Sequence, residues 1–214
     1  MKKKVGVLVS GRGSNLQALL DAIAADPAFP AEIALVISNI PDVYALERAA
    51  KASVPTTVIP HKGFASREEF DAAMDAALRA AGVEIVCLAG FMRLLTKGFV
   101  EGWAGRMINI HPSLLPSFKG LHTHERAIEA GVKLHGCTVH LVTPELDDGP
   151  ILVQAAVPVL AGDTADTLAG RVLEQEHRAY PLALKLVAEG KVRVDGPRAV
   201  VEAPGGGMLI NPLP

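Results

Sequence analysis

The sequence predicts an α/β protein. A Rossmann-like, mostly parallel sheet should fill its N-terminal half, antiparallel strands should extend this sheet in the C-terminal half, and helices should cover both faces. Short apolar runs alternate with longer amphipathic runs over the first hundred residues. Nearly continuous apolar strands are typical of a sheet that is buried on both faces, and strand–helix alternation requires right-handed crossovers between parallel strands. Two later β-rich runs separated by a turn-like segment predict the antiparallel part.

The individual elements follow from this alternation. The apolar runs predict strands at Val5–Val9, Ile33–Ile37, Thr56–Ile59, Val83–Leu88 and Met107–Ile110, and amphipathic runs predict helices at Ser14–Ala25, Tyr44–Ala52 and Ser66–Ala80. The antiparallel pair is Leu134–Val142 and Ile151–Val159. A long helix should begin near Thr164, with Asp163 or Thr164 as its N-cap. Pro181 should kink this helix, because proline removes a backbone donor.

Composition narrows the classes of partner and compartment. The chain has 214 residues and a net charge of −2, which gives no electrostatic reason to expect nucleic acid or a membrane surface as a partner. The apolar run after Lys2–Lys4 is about five residues long, shorter than the roughly 7–15 residues of a signal peptide core. Cys87 and Cys137 lie in apolar runs and fit buried thiols in a reducing cytoplasm. We therefore expect a cytoplasmic protein.

The turn after the first strand, Ser10–Asn15, has the features of an anion site. Its glycines let the backbone turn tightly, and the first amides of the following helix favour a negative charge. Ser14 and Asn15 could add side-chain donors. A dinucleotide is disfavoured, because Leu16 replaces the third glycine of the fingerprint and Ser38 and Asn39 stand where an acidic residue is expected. A single phosphate is the better interpretation, and an ordinary turn with Ser14 as N-cap is the alternative.

Asn109 and His111 are the candidate catalytic residues at the end of a central strand. They are two residues apart and should point to the same side. An amide donor and an imidazole at one place can stabilise an oxyanion and move a proton. Individually, Asn109 could be a turn-capping residue and His111 a core histidine. The rigid loop that follows, with Pro112 and Pro116, favours the functional interpretation.

Two adjacent acids follow in the next turn. Asp147 and Asp148 should point apart, so that one of them could reach His111 and favour its charged form. The alternative is a pair of solvated turn acids. His140 should leave the apolar layer of its strand and face the cleft. Five of the seven histidines fall between His111 and His140, but their spacing matches no zinc motif, so we predict no metal site.

Glu176 lies on the apolar stripe of the last helix. Leu168, Val172, Ala179 and Tyr180 define this stripe. A carboxylate on a core-facing stripe is costly unless it has a partner. The sequence leaves two alternatives open, a buried ion pair with a lysine or arginine and a contact with a ligand.

Several segments together resemble the phosphoribosylglycinamide formyltransferase family. They are GRGSNLQAL, SNIPDVYALERA, LAGFMRLL, NIHPSLLPSFKGLHTHERAIEAGVKLHGCTVHLVTPELDDGPIL and LEQEHRAYP. NIHPSLLP alone is typical of folate-dependent formyl transferases and hydrolases in general, whereas GSN, GLHTH and QEH narrow the resemblance to this family. The resemblance runs from residue 4 to about residue 190. One departure is Asp148, where many relatives carry glycine.

The resemblance implies roles for particular residues. It makes Asn109, His111 and Asp147 the catalytic residues, and it makes the loop Pro116–His124 close over the substrate. The substrate-binding residues would be Gly13, Ser14, Asn15, Pro112 and Glu176. The folate-binding residues would be Arg67, Met92, Arg93, Leu94, Leu95, Asn109, His140 and Asp147.

We accordingly expect transfer of a formyl group from 10-formyltetrahydrofolate to phosphoribosylglycinamide. A single domain should span 1–195, with a phosphate-binding half at 1–100, a catalytic and folate-binding half at 101–195, and a loosely packed tail at 196–214. The alternatives are a formyltetrahydrofolate hydrolase, a methionyl-tRNA formyltransferase and a phosphate or nucleotide sensor without catalysis. The first usually has an extra N-terminal domain and the second an RNA-binding domain, and we expect neither domain here. Either a monomer or a homodimer fits the sequence.

Overall fold

The computed structural model of the chain describes residues 1–202, which form nine strands and six helices. The strands are β1 Lys3–Val9, β2 Ala31–Ser38, β3 Thr56–Val58, β4 Ile85–Leu88, β5 Met107–His111, β6 Leu134–Leu141, β7 Ile151–Pro158, β8 Val192–Asp195 and β9 Arg198–Val201. The helices are α1 Ser14–Ala25, α2 Tyr44–Lys51, α3 Arg67–Ala80, α4 Lys97–Gly102, α5 Thr123–Glu129 and α6 Ala165–Ala188, and a 3-10 turn spans His61–Gly63.

Seven of these strands form one sheet in the order β3-β2-β1-β4-β5-β6-β7. The strands from β3 to β5 are parallel, and β6 and β7 extend the sheet as antiparallel neighbours. The predicted fold class is therefore confirmed. Because β1, β4 and β5 are parallel, their carboxyl ends lie at one edge of the sheet. The loops that follow these three strands lie at this edge, where open α/β sheets bind ligands.

Both faces of the sheet are covered. On one face the core contains Leu16 and Leu19 of α1 and Leu168, Val172, Ala179 and Tyr180 of α6. On the other face it contains Phe70, Met74 and Leu78 of α3 and Phe99, Val100 and Trp103 from the α4 region. This two-sided burial explains why the central strands are apolar at almost every position.

Helix α6 begins at the predicted cap. The Thr164 hydroxyl accepts a hydrogen bond from the amide of Thr167, which makes Thr164 the N-cap. The helix continues through Pro181 to Ala188 as one element. Tyr180 is fully buried, and its hydroxyl donates to the carbonyl of Leu88 at 2.9 Å. This contact ties α6 to the end of β4.

Four elements were not predicted: α4, the 3-10 turn, α5 and the β8–β9 hairpin. The hairpin corrects the expectation of a loose tail from residue 196, because Arg198–Val201 pairs with Val192–Asp195 and lies beside β7. The remainder of the expected tail, 203–214, lies outside the described residues. Within the described part of the chain, no helix has the length and apolar character needed to cross a membrane.

The two cysteines are buried, as the sequence predicted. Cys87 in β4 and Cys137 in β6 are both fully inaccessible and unpaired with each other. Burial raises the pKa of each thiol to about 12, so both remain protonated at neutral pH. These side chains are structural parts of the sheet rather than reactive groups.

Candidate active site

The candidate catalytic residues come from β5 and from the β6–β7 turn. Asn109 and His111 lie on β5, and Asp147 lies in the turn that follows β6. Nδ1 of His111 is 3.4 Å from Oδ2 of Asp147, and both side chains are almost completely buried. The structure therefore brings residues from two separate stretches of chain to one place at the carboxyl edge of the sheet.

Both ring nitrogens of His111 face oxygen acceptors. Nε2 lies 3.0 Å from the carbonyl oxygen of Phe118, and Nδ1 faces the Asp147 carboxylate. A carbonyl and a carboxylate can only accept, so each nitrogen can donate only if it carries a proton. This arrangement fits a charged imidazolium ring held beside a carboxylate.

His140 sets the orientation of Asn109. The two residues are directly opposite each other across β5 and β6. Nδ1 of His140 lies 2.9 Å from the carbonyl oxygen of Leu141 and donates to it, so Nε2 is left as an acceptor for Nδ2 of Asn109 at 3.2 Å. Burial lowers the pKa of His140, which favours this neutral tautomer. The second N–H of the Asn109 amide is thereby left for another acceptor.

A close approach of backbone segments places Asp147. Its own φ of 49° lies in the left-handed region, which aspartate tolerates better than most residues. Two residues later, Gly149 packs against the carbonyl of Leu141, where a Cβ atom would clash. Oδ2 of Asp147 accepts a hydrogen bond from the Gly120 amide at 2.9 Å. The neighbouring Asp148 points away and pairs with Lys119.

The segment after β5 lies against both candidate catalytic side chains, His111 and Asp147. The carbonyl of Phe118 contacts His111, and the amide of Gly120 contacts Asp147. The Thr123 hydroxyl donates to the carbonyl of half-buried Pro112 at 2.7 Å, at the start of α5. The predicted loop Pro116–His124 therefore ends in the first turn of a helix. Sequence reasoning missed the contacts of Phe118 and Gly120, because they are made by backbone atoms.

The turn after β1 places Gly13 at the beginning of α1. Gly13 has a φ of 70°, and a Cβ atom there would lie 2.6 Å from the Cβ of Ala45. Gly13 is the N-cap, and it has no side chain to accept from the first amides of α1. Ser14 is therefore the first residue of α1 and not its N-cap. The first amides of a helix and the positive end of its dipole suit an anion.

Asn15 and Glu176 connect α1 to α6. Nδ2 of Asn15 donates to Oε2 of Glu176 at 2.7 Å, and both side chains are buried. Burial raises the pKa of Glu176, whereas the hydrogen bond from Asn15 acts in the opposite direction. The partner of Glu176 is thus an amide instead of the lysine or arginine considered from the sequence. Oδ1 of Asn15 is buried and has no partner within residues 1–202.

The residues expected at the folate lie along the same edge. Met92, Arg93 and Leu94 follow β4 and are exposed, and Leu95 is half-buried. The exposure is 63% for Met92 and 62% for Leu94, which is high for apolar side chains. Arg67 is the exposed first residue of α3. The exposed side chains of Met92 and Leu94 offer apolar area of the kind that marks ligand or partner contacts.

Two of the clustered histidines, His124 and His135, pack against each other and against Phe118 of the segment that follows β5. The rings of His124 and His135 meet edge to face with centroids 5.2 Å apart, and Phe118 packs on His135 at 5.8 Å. Burial lowers the pKa of His135 to about 4. Among the described residues, no group of three or more metal-ligating side chains is arranged to hold a metal ion.

Comparison with known proteins identifies the family. A family model described as "Formyl transferase" matches residues 3–184. The chain belongs to the formyl transferase family. It is 46% identical over 188 residues to the phosphoribosylglycinamide formyltransferase of Escherichia coli strain K12, and the match covers 88% of each chain. This formyl transferase also resembles the crystal structure of glycinamide ribonucleotide transformylase 1 from Symbiobacterium toebii, with a TM-score of 0.90, 48% identity and 94% of both chains covered.

Some relatives are much longer than this formyl transferase. The trifunctional purine biosynthetic protein adenosine-3 of Gallus gallus is 54% identical over 193 residues. The match covers 90% of the present chain and 19% of the relative. The chain therefore spans about a fifth of that protein's length, and the similarity concerns this part alone.

Proposed function

We propose that the chain transfers the formyl group of 10-formyltetrahydrofolate to the amine of 5'-phosphoribosylglycinamide, a step of de novo purine biosynthesis. The observation that carries the proposal is the meeting of Asn109, His111 and Asp147 at one place on the carboxyl edge of the sheet. Membership of the formyl transferase family supports it, as do the names of relatives that match over most of their length.

Asn109 stabilises the negative charge that develops on the formyl oxygen. One N–H of its amide is held by His140. The other N–H is then free to donate to an oxyanion in a fixed direction. A donor that is oriented before the reaction does not have to reorganise during it, which is why such groups contribute strongly to catalysis.

His111 and Asp147 supply charge and proton transfer. The imidazolium of His111 shares the stabilisation of the oxyanion, and the Asp147 carboxylate faces its Nδ1 at 3.4 Å. Nε2 of His111 contacts the carbonyl of Phe118, so direct donation from Nε2 to the formyl oxygen requires this contact to break. Asp147 also orients the water that carries a proton from the attacking amine to the leaving nitrogen.

The reaction needs no covalent intermediate on the protein. The lone pair of the substrate amine forms the new C–N bond, and the formyl C=O electrons move to oxygen. When they return, the bond from the formyl carbon to N10 of the folate breaks, and N10 takes the proton lost by the amine. Both cysteines are buried and protonated, so neither offers a thiolate as a nucleophile.

The substrates would occupy adjoining parts of the edge. The substrate phosphate lies at Gly13, Ser14 and Asn15, while Glu176 and Pro112 contact the glycinamide and ribose part. Arg67, the Met92–Leu95 segment and His140 bind the folate. Strands β1 and β5 are separated only by β4, so the phosphate and the reacting carbon are about 10 Å apart in the plane of the sheet.

The same proposal divides the chain into parts. Residues 1–100 provide the phosphate-binding half together with Arg67 and the Met92–Leu95 segment, and residues 101–195 provide the catalytic half with its folate contacts at Asn109, His140 and Asp147. The two unpaired, buried cysteines are consistent with a cytoplasmic enzyme. The two substrates are the partners that we propose.

The proposal is tested by mixing the protein with 10-formyltetrahydrofolate, with and without phosphoribosylglycinamide, and following the folate absorbance. We expect release of tetrahydrofolate only when the amine is present. Equal release without the amine would make the chain a hydrolase. Binding of the phosphate compound without any release would make it a sensor.

A further inference from the structure

A buried hydrogen-bond chain lies beside the proposed active site and contains none of the residues assigned above except Met92. It begins at Ser10, the first residue after β1, and continues through Asn39, which follows β2. Because β1 pairs with both β2 and β4, the residues that follow these three strands are neighbours at the carboxyl edge. Ser10 is 8% exposed and Asn39 is 2% exposed.

The Ser10 hydroxyl makes two hydrogen bonds of defined direction. Its Oγ accepts from the backbone amide of Met92 at 2.8 Å and donates to Oδ1 of Asn39 at 2.6 Å. Because the Met92 amide can only donate, the hydroxyl proton is left for Asn39. The Asn39 amide nitrogen is then directed to Nδ1 of His61, 3.2 Å away. One hydroxyl therefore joins the ends of three chain segments.

The Met92–Leu95 segment packs against the core through Leu95, at its C-terminal end. Its side chains at Met92 and Leu94 are largely exposed, so packing of these side chains contributes little to holding it. Side-chain hydrogen bonds to the backbone hold both ends. Ser10 accepts from the Met92 amide, and Oδ2 of Asp71 accepts from the Thr96 amide at 2.6 Å. A segment that is fixed at its two ends becomes more mobile when one of these attachments is removed.

We propose that Ser10 is a positioning residue, which fixes the Met92–Leu95 segment at the distance from the phosphate turn that the folate requires. Ser10 lies three residues before Gly13, in the same turn that carries the proposed phosphate site. It acts through the backbone of Met92 and does not touch the reacting atoms. The proposal rests on the proposed function for its kinetic consequence, but its structural consequence can be measured independently.

The test compares Ser10→Ala with Ser38→Ala. Ser38 is a matched control, because its fully buried hydroxyl also makes one donated and one accepted hydrogen bond, both with Ile40. In Ser10→Ala we expect faster amide hydrogen exchange in the peptide that contains Met92, and we expect none of this change in Ser38→Ala. Unchanged exchange at Met92 in Ser10→Ala would overturn the proposal, whatever reaction the protein catalyses.

The kinetic consequence is a split between binding and turnover. Loss of one such hydrogen bond should raise the KM for the formyl-folate about three- to tenfold, while kcat stays within about twofold because Asn109, His111 and Asp147 are unaltered. An unchanged KM, or an equal rise in Ser38→Ala, contradicts the inference. Absence of transfer activity in the wild-type protein would instead contradict the proposed function.

If Ser10→Ala does not fold, Ser10→Cys keeps the size of the side chain and weakens the hydrogen bonds, and the same measurements apply.

Discussion

Asp147→Asn tests the electrostatic part of the mechanism, because the substitution removes the charge and keeps the shape. Asparagine tolerates the left-handed backbone at this position, where φ is 49°. Its side-chain oxygen can still accept from the Gly120 amide. We therefore expect the variant to keep the native fold.

The magnitude follows from the distance between the charges. At an effective dielectric constant of roughly 20, unit charges separated by the 3.4 Å between His111 and Asp147 attract by about 5 kcal/mol. Desolvation of the two buried groups offsets part of this attraction, so the figure is a ceiling. Removing one preorganised group typically costs about 10²–10³-fold in turnover. We expect a loss of kcat in that range.

The assay is steady-state transfer with saturating formyl-folate and phosphoribosylglycinamide, followed by the folate absorbance. Asp148→Asn is the matched control, because Asp148 lies in the same turn, is exposed and pairs with Lys119. We expect Asp148→Asn to retain kcat within about threefold, since exposed ion pairs contribute little. Near-normal turnover in Asp147→Asn, or an equal loss in Asp148→Asn, would refute the reasoning.

Four further predictions concern single residues. Asn109→Ala should lower kcat by about 10²–10³-fold in steady-state assays; a loss below tenfold would contradict its role as oxyanion donor. Glu176→Ala leaves the buried Asn15 amide without its partner, so the KM for the amine substrate should rise at least about tenfold. An equal rise in the KM for the folate would argue against a role of Glu176 at the amine substrate. Gly13→Ala forces a left-handed alanine beside Ala45 and should lower the free energy of unfolding by at least about 1–2 kcal/mol in urea titrations; unchanged stability would show that the turn can relax. In the folded protein, burial lowers the pKa of His135 from 6.5 to about 4, so on acidification the unfolded chain binds a proton at this histidine before the folded chain does. The free energy of unfolding should therefore fall as the pH drops from about 6.5 to 4, by up to about 3 kcal/mol. His135→Leu should flatten this part of the pH–stability curve, and an unaltered slope would assign the pH dependence to other groups.

The sequence predicts the sheet well, because burial on both faces leaves a strong signal. The bounds of α1 are the same in the prediction and in the structure, Ser14–Ala25. The helix α5 was missed because it is only seven residues long and begins within Leu121–His124, a short polar stretch that was interpreted as part of a loop. The β8–β9 hairpin was missed because Gly196 and Pro197 suggested a tail, whereas they form the turn between two short strands.

For the candidate site too, some features could be predicted from the sequence, and others depend on the tertiary structure. That Asn109 and His111 lie on one side of a strand follows from the two-residue period of β structure. That His140 lies opposite Asn109 depends on the register between β5 and β6, which no local pattern determines. The approach of Asp147 depends on a backbone contact of Gly149 with Leu141, and this is a tertiary feature. The hydrogen bonds that join Ser10 to Asn39 and Met92 were also not predicted, because these residues come from three separate segments of the sequence.

A crystal structure with phosphoribosylglycinamide and a formyl-folate analogue that cannot transfer its carbonyl group tests the central claim most directly. We predict that the carbonyl oxygen of the analogue lies about 3 Å from Nδ2 of Asn109, with the substrate amine facing the carbonyl carbon and the Asp147 carboxylate beside them. A carbonyl group bound at a surface that Asn109, His111 and Asp147 do not reach would contradict the proposed mechanism.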